Sequence, residues 1–458
     1  MTEVRDNGPG GGAVTDGGVS APRYLPADRA VRRNFVWAAL NGALFELGAS
    51  FADSGTIVPA FLGRLGAGAP AVGAAATIAR FGWLFPQLFA ANYAQGVRHR
   101  KPIYLVGGGG RAVSLGLLAL VLFTWPAPPH DAAAPRALLV TFFGLWTVFS
   151  FVAGLAGVPY NDVIARTIPS DWRSRLLAVR LFVGGVLAAG AGLLVRAILG
   201  EAAGASLQPY ALIFGAGAIV LALSTACFAR IEEPAAPLGH SRLAFAAFLR
   251  DGLGVVRADR RFRLFLYVQW LSNVTRMSAP FYLLQARQVS GIPELEVGTF
   301  LAAQMAGTVV LNPLWGWWGD RRGKLSLLKV LTGITAVSPL LALGLSLGPV
   351  PATLALAGYV LVFFFVGAAM TGEIVGDLGY LMEISPDDRR PEYSGYLNGL
   401  AAPSRLLPFV GGFIVAFASF QLLFVLSALA VAARFVVLAW LGSAPIGPAH
   451  DAAVGVKR

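Results

Sequence analysis

Long apolar segments alternate with short polar loops along most of the chain. A helix needs about 20 consecutive, mostly apolar residues to cross a bilayer, and twelve segments reach that length. This pattern predicts an all-α membrane protein with about twelve transmembrane helices. The predicted spans are approximately residues 35–62, 71–94, 103–125, 137–160, 176–199, 210–229, 263–287, 297–318, 325–347, 352–378, 394–417 and 420–442.

The basic residues lie mainly in alternate loops. Arginine and lysine cluster before the first predicted span and after the second, fourth, sixth, eighth and tenth spans, whereas the loops between these contain few of them. Because loops rich in Lys and Arg stay on the cytoplasmic side of a membrane, both termini are predicted to be cytoplasmic. The predicted location is the inner (plasma) membrane, which the chain crosses many times.

Composition agrees with a membrane protein and argues against several other classes. Of the 458 residues, 56% are hydrophobic and 13% are charged, whereas a soluble domain has about 25% charged residues. The basic loops explain the net charge of +12, so nucleic acid is not a predicted partner. The single cysteine and the four scattered histidines have no metal-site spacing, so no metal and no cofactor are predicted.

A basic segment after the sixth span divides the chain into two halves of six spans each. Within this linker, Phe245, Phe248 and Leu249 share one helical face, which is typical of a short helix in the headgroup region. A solvated linker explains the same sequence equally well. The predicted units are a disordered tail at 1–31, a first six-helix bundle at 32–229, the linker at 230–262, a second six-helix bundle at 263–443 and a cytoplasmic tail at 444–458.

The two halves contain the same residue types in the same order, which predicts a duplicated bundle. The second and eighth spans both open on Val-Gly, followed by a second glycine and a proline, and the fifth and eleventh spans both contain a pair of glycines. Transporters of this construction bind substrate near the membrane midplane, between the two halves. The matched positions are Gly73 with Gly298, Gly82 with Gly307, Pro86 with Pro313, and Gly184–Gly185 with Gly411–Gly412.

The loop after the eighth span contains the most specific motif. Residues 316–324 read Gly-Trp-Trp-Gly-Asp-Arg-Arg-Gly-Lys. This sequence is similar to the signature cytoplasmic loop of the major facilitator superfamily (MFS), which occurs in that family after the second span and again after the eighth. The first copy here, residues 92–101, keeps the basic cluster but lacks the aspartate.

The resemblance implies two pseudo-symmetric bundles, a central cavity lined by spans one, four, seven and ten, and transport by alternating access. It also implies that the loop is a cytoplasmic gate; the alternative is a basic loop that only sets the topology. Glycines allow two helices to approach closely, and Asp320 lies where a carboxylate can face the positive end of a neighbouring helix. The predicted gate residues are Gly316, Gly319, Asp320, Arg321, Gly323 and Lys324.

Acidic residues inside the predicted spans are candidates for proton coupling, because a charge within a bilayer is costly and marks function by default. Helical spacing places Glu46 and Asp53 on one face of the first span, and Glu373 and Asp377 on one face of the tenth. Desolvation favours the neutral form of a carboxyl group, which allows it to load and release a proton. The candidates are Glu46, Asp53, Glu373 and Asp377.

Basic and amide residues inside the spans are candidates for substrate binding, because a buried arginine stays charged and can hold an anionic group. Several of these residues share helical faces, notably Gln269, Asn273 and Arg276. The alternative is that acids and arginines pair with one another only to hold the bundle together. The cavity candidates are Arg80, Gln269, Asn273, Arg276, Asn398 and Arg405.

These observations predict a proton-coupled secondary transporter of a small organic molecule, with export slightly preferred to import. The alternatives are an uptake permease for an organic anion or sugar, a membrane enzyme acting on lipid-linked substrates, and a nutrient sensor. The sequence contains neither a nucleophile–base motif nor a Gly-x4-Gly-Lys-Ser/Thr loop for ATP, so enzymatic activity is not predicted. The predicted partners are the small-molecule substrate, protons and membrane lipids, and the predicted state is a monomer.

Overall fold

The computed structural model describes residues 28–95, 97–125, 136–200, 206–235, 245–288, 290–386 and 389–443. All regular structure within these ranges is helical. Residues 28–31 of the predicted N-terminal tail begin the first helix, while its remaining residues and the predicted tail at 444–458 lie outside the described residues.

The first half contains seven of the helices. They are α1 Asp28–Ser50, α2 Ile57–Arg64, α3 Ala69–Gln95, α4 Lys101–Thr124, α5 Arg136–Thr167, α6 Ser170–Gly200 and α7 Gln208–Ala229. The linker and the second half contain the others. They are α8 Phe245–Ala258, α9 Arg260–Arg276, α10 Ala279–Gln288, α11 Glu296–Arg322, α12 Lys324–Leu345, α13 Ala352–Ile384, α14 Arg390–Ala401, a 3₁₀ helix Ala402–Leu406, α15 Leu407–Phe417 and α16 Phe420–Ser443.

Nine helical segments of the described chain are long and apolar enough to cross a membrane. They are α4, α5, α6, α7, α11, α12, α13, the run from Glu392 to Phe417, and α16. The other predicted spans correspond to α1 with α2, to α3, and to α9 with α10. The chain is therefore an all-α membrane protein, as predicted.

Three of the predicted spans are interrupted, and each interruption is followed by a proline. Pro59, Pro280 and Pro408 lie in the first turns of α2, α10 and α15. A proline has no backbone N–H and clashes with the preceding turn, so it begins a helix far more readily than it continues one. The first and seventh spans are broken at comparable places, which agrees with a duplicated bundle.

Within each half, the matched glycines lie at equivalent helix contacts. A Cβ atom added to Gly82 would lie 2.6 Å from Ser150 Cβ on α5, and one added to Gly307 would lie 1.9 Å from Phe364 O on α13. Each glycine therefore lets the second span of its half pack closely against the fourth span. These are α3 and α5 in the first half, and α11 and α13 in the second. In both halves a buried tryptophan N–H also donates to a carbonyl across this contact, at 2.9 Å in each case.

Glycines also form the contacts between the two halves. A Cβ atom on Gly192 of α6 would lie 2.5 Å from Ala302 N of α11, and one on Gly298 of α11 would lie 2.3 Å from Gly192 O. On the other flank, a Cβ atom on Gly73 of α3 would lie 2.3 Å from Pro408 O. These two glycine contacts, α6 with α11 and α3 with α15, lie toward the face of the protein that is opposite to the start of α1 and the end of α16. We call this face the far side and the opposite face, which carries the basic loops, the basic side.

Widening the far-side contact should expose it to solvent. In a Cys227→Ser background with Ala302→Cys, we expect Gly192→Leu to increase labelling by a membrane-impermeant maleimide added to the far side, because leucine does not fit between α6 and α11. Gly190→Leu in the same helix is the matched control, since a Cβ atom at Gly190 meets nothing within 4 Å. Equal labelling in the two variants would contradict the assigned contact.

Candidate functional site

A cavity of about 510 Å³ lies between the two halves. The first half contributes Arg80 and Trp83 from α3, and most of the remaining wall comes from α9, α10, α13 and α14. The wall extends to Leu381 and Ser394, near the basic-side ends of their helices, so the cavity reaches toward the basic side. Seven of the predicted site residues line it. They are Arg80, Gln269, Arg276, Glu373, Asp377, Asn398 and Arg405.

Glu373 is the centre of a buried charge network in the second half. Its side chain is 1% exposed and accepts a hydrogen bond from Arg276 Nε at 2.6 Å and one from Arg434 Nη1 at 2.8 Å. These residues lie on α13, α9 and α16, so the network joins three helices. Two guanidinium groups share this one carboxylate, so the network pairs two cations with one anion.

Asp377 lies one helical turn from Glu373 and lines the same cavity without an ion pair among the described residues. Its Oδ1 atom is buried and accepts no hydrogen bond. The nearby amide Nε2 of Gln269 is likewise buried and donates none. Asp377 is therefore the cavity carboxyl group with the fewest fixed partners, and it lies beside a carboxylate.

Arg80 and Arg405 face the cavity from opposite halves, and neither forms an ion pair within the described ranges. The closest polar contact of Arg80 is with the backbone carbonyl of Arg276, at 3.4 Å. The Nε atom of Arg405 is buried and has no hydrogen-bond partner. Neither guanidinium group is therefore in direct contact with a described carboxylate.

A hydrogen bond between the halves fixes the helices that carry these two arginines. Phe409 N donates to Thr77 Oγ1 at 3.0 Å. Phe409 lies in the first turn of α15, where backbone N–H groups have no partner within the helix. Arg80 lies about one turn from Thr77, and Arg405 about one turn from Phe409, each toward the basic side.

Asn273 lies beside this junction. Its Nδ2 atom donates to Ser404 Oγ at 2.9 Å and to Gln269 O at 3.0 Å. Ser404 belongs to the 3₁₀ helix that precedes α15. Asn273 therefore holds the 3₁₀ segment against α9, and it supports the cavity wall without lining the cavity itself.

Glu46 lies outside this cavity, in the first half. Its Oε1 atom accepts from Arg180 Nη2 at 2.9 Å, and Arg180 belongs to α6. The Arg180 guanidinium also lies 5.1 Å from the ring centroids of Phe45 and Tyr160. Arg180 borders a second, smaller cavity of about 140 Å³, whose wall also contains Arg111.

Asp53 lies at the break between α1 and α2, where its side chain replaces helical hydrogen bonds. Its Oδ1 atom accepts from Gly55 N at 2.9 Å, from Thr56 N at 2.8 Å and from Thr56 Oγ1 at 2.9 Å. Its Oδ2 atom accepts from Gln304 Nε2 of the second half at 3.4 Å. The four acidic candidates are thus divided among three places, and only Glu373 and Asp377 lie together.

On the far side, ion pairs connect the two halves. Glu294 accepts from Arg64 Nη1 at 3.1 Å and from Tyr210 Oη at 2.5 Å, and both donors belong to the first half. Arg196 of α6 donates to Glu296 of α11 at 3.1 Å. These pairs close the far end of the space between the halves.

On the basic side, the predicted gate motif lies at the turn between α11 and α12. Gly323 adopts a φ of 83°, a left-handed value that glycine tolerates. Lys324 donates to Asp320 at 2.8 Å, and the Arg321 guanidinium lies 5.2 Å from the ring centroid of Trp317. These contacts all lie within the second half.

The two motif glycines differ in their surroundings. A Cβ atom on Gly319 would lie 3.1 Å from Leu327 Cδ2 of α12, whereas one on Gly316 would meet nothing within 4 Å. A side chain at position 319 would therefore press on Leu327 and Lys324 of α12, whereas one at position 316 would meet open space.

Three charged residues that form ion pairs in the structure were not among the site candidates predicted from the sequence. The partner of Glu46, Arg180, is an ionisable residue inside the fifth predicted span, so the criterion that selected the other candidates applies to it too. Arg434 is an ionisable residue within the last span, but its pairing with Glu373 depends on how α13 faces α16. Glu294 lies in a short loop, where the sequence offers no signal that it would join the halves.

Comparison with known proteins places the chain among membrane transporters. Residues 38–402 and 275–454 match the family model for the Major Facilitator Superfamily. The fold is similar to a mutant of the nucleoside transporter NupG, with 12% identity and a TM-score of 0.66 over 90% of this chain and 99% of that chain. No curated protein sequence matches the chain.

Two further solved structures are similar over nearly their whole length. A D-xylose-proton symporter has 16% identity and a TM-score of 0.64, covering 89% of this chain and 97% of that chain. A bacterial homologue of the iron transporter ferroportin in an inward-facing state has 15% identity and a TM-score of 0.64, covering 90% and 99%. Identities this low show a shared fold alone.

Removing the charge of Glu373 should destabilise the protein strongly. We expect Glu373→Gln to cost about 3–5 kcal/mol, because it leaves the fully buried Arg434 without a counter-charge and removes the partner of the half-buried Arg276. Asp377→Asn, one turn away on the same helix, is the matched control and should cost about 1 kcal/mol or less, because it breaks no ion pair. The midpoint of thermal unfolding in detergent measures both variants, and equal losses would contradict the central role of Glu373.

Proposed function

The chain belongs to the major facilitator superfamily, and we propose that it is a proton-coupled secondary transporter that moves a small organic molecule by alternating access. The family and the similar solved structures indicate a transporter and not an enzyme. The observation that carries the proposal is the cavity between the halves, which is lined by charges from both halves and closed on the far side.

The sidedness of the membrane follows from the basic loops. Because loops rich in Arg and Lys stay in the cytoplasm, we assign the basic side and both termini to the cytoplasmic face of the inner membrane. The cavity then faces the cytoplasm, and the pairs at Glu294 and Glu296 close the external side. The whole cavity lies within one chain, which supports a monomer as the transporting unit.

The two gates would act in turn. The external gate is closed by Arg64 with Glu294 and Arg196 with Glu296, which span the two halves. On the cytoplasmic side, Asp320 and Lys324 pair with each other. This pair lies entirely within the second half and does not join it to the first. We propose that the motif at 316–324 engages the first half when the external gate opens.

Asp377 is the residue that we propose as the proton carrier. Glu46 and Glu373 are each held by arginine, and Asp53 is committed to the start of α2, so protonating any of them would break a structural contact. Asp377 has no ion pair to break and lies beside the negative charge of Glu373. A neighbouring like charge favours the neutral form of a carboxyl group.

The direction of transport depends on how proton and substrate share the cavity. Export, the direction that the sequence slightly favours, requires proton and substrate to occupy the cavity in turn. Import requires them to occupy it together, and an uptake permease for an organic anion or sugar is the alternative function. Both directions use the same cavity and the same gates.

Replacing Asp377 should separate transport from the proton gradient. In proteoliposomes with a pH gradient, we expect Asp377→Asn to abolish concentrative movement of a transported compound while exchange without a gradient continues, because the neutral side chain cannot change charge. Asp251→Asn, an exposed position in the linker helix α8, is the control and should behave as wild type. Gradient-driven accumulation that persists in Asp377→Asn would rule out this residue as the carrier.

A further inference from the structure

We propose that the substrate is a small organic anion whose carboxylate or phosphate group is held between Arg80 of the first half and Arg405 of the second, and that it binds together with a proton on Asp377. This inference rests on the proposed transport function and adds to it the substrate class and the mode of coupling.

The charge balance of the cavity is the first observation. Arg80, Arg276 and Arg405 line it, and Arg434 lies directly behind Glu373. Four arginines thus share two carboxylates, Glu373 and Asp377. Glu373 is already shared by Arg276 and Arg434, and no described carboxylate forms an ion pair with Arg80 or Arg405. Both arginines are half-buried in the cavity wall, and an anionic ligand that displaces water from the cavity supplies the partner that such a charge needs.

The position of the two free guanidinium groups is the second observation. The hydrogen bond from Phe409 N to Thr77 Oγ1 fixes α3 against α15, with Arg80 and Arg405 about one turn away on the same side. A guanidinium group presents its N–H donors in a planar fork that matches carboxylate and phosphate oxygens. A ligand held by both residues would contact both halves, which is the contact that a transported substrate must make.

The other residues of the cavity wall indicate the chemistry of the part of the ligand that does not contact the arginines. Trp83, Tyr282 and Met370 contribute aromatic and apolar surface to a cavity of about 510 Å³. This volume falls within the range of sites for small organic ligands. The substrate is therefore an organic anion with an apolar body and not an inorganic ion.

The coupling to protons follows from the same charges. Asp377 is influenced by Glu373 on its own helix, by Arg276 on α9, by Arg434 on α16 and by Arg405. Ionised Asp377 offers a competing negative charge to these arginines. A proton on Asp377 removes that competition, so anion and proton favour each other's binding. Joint binding corresponds to symport, which makes import driven by the proton gradient the expected direction.

The test measures ligand binding to the purified full-length protein by thermal stabilisation at constant ionic strength. The anionic probes are benzoate, phthalate and inorganic phosphate; benzamide is the neutral probe and benzylamine the cationic one. We expect stabilisation by the anions alone, and about tenfold or greater loss of benzoate affinity in Arg80→Gln and in Arg405→Gln. Arg136→Gln, at an exposed position without a described partner, is the control and should bind as wild type.

Two further measurements distinguish lost binding from misfolding and test whether proton and anion bind together. Arg80→Lys and Arg405→Lys keep the charge and should recover part of the affinity, which a folding defect would not allow. Benzoate affinity should rise as the pH falls from about 8 to about 6, and this rise should disappear in Asp377→Asn. Affinity that is independent of pH in the wild type would overturn the joint binding of proton and anion.

The outcomes distinguish this inference from the proposed transport. Failure of all three anions to stabilise the protein, or stabilisation by benzamide or benzylamine that survives in Arg80→Gln, would overturn the anion site while leaving proton-coupled transport intact. Anion binding that depends on both arginines, without any flux of the bound anion in proteoliposomes, would support the site and overturn the transport function.

Discussion

A buried charge inside a membrane protein must be matched by an opposite charge, and this requirement organises the second half of the molecule. Glu373 meets it by accepting from Arg276 and Arg434, which lie on different helices. Removing the carboxylate would leave two cations without a counter-charge, so α9, α13 and α16 are held together by one side chain. Because Glu373 is already paired with Arg276 and Arg434, Arg80 and Arg405 remain available to a ligand.

The helix breaks and the glycine contacts give the free arginines their position. The 3₁₀ segment before α15 places Arg405 at the cavity, and the start of α15 supplies the N–H group that binds Thr77. The contact between Gly73 and Pro408 brings α3 close enough for this hydrogen bond. Closure of the far side and formation of the cavity are therefore linked through α3, which makes one of the far-side contacts and also lines the cavity.

The sequence predicted the class of fold and the duplicated halves, and seven of its ten intramembrane candidates line the cavity, because these features depend on apolar length and helical spacing. The pairing of Glu373 with Asp377 on one face follows from positions one turn apart on a single helix. Contacts between helices depend on how each helix is rotated, which periodicity does not determine, so the partner of Glu46 was not foreseen. The role of Asp53 was not foreseen either, because apolar length does not reveal the break between α1 and α2. At this break the Asp53 carboxylate accepts from the backbone N–H of Thr56, just before α2.

The distribution of ion pairs indicates which contacts a change of state would break. The buried network at Glu373 lies within one half and can move as part of a rigid unit. The pairs that span the halves join two largely buried carboxylates, Glu294 and Glu296, to arginines that are 24% and 50% exposed. Opening the far side would break these pairs and preserve the network at Glu373. A ligand that joins Arg80 to Arg405 acts at the interface between the two rigid units, where a small difference in binding free energy is enough to select a state.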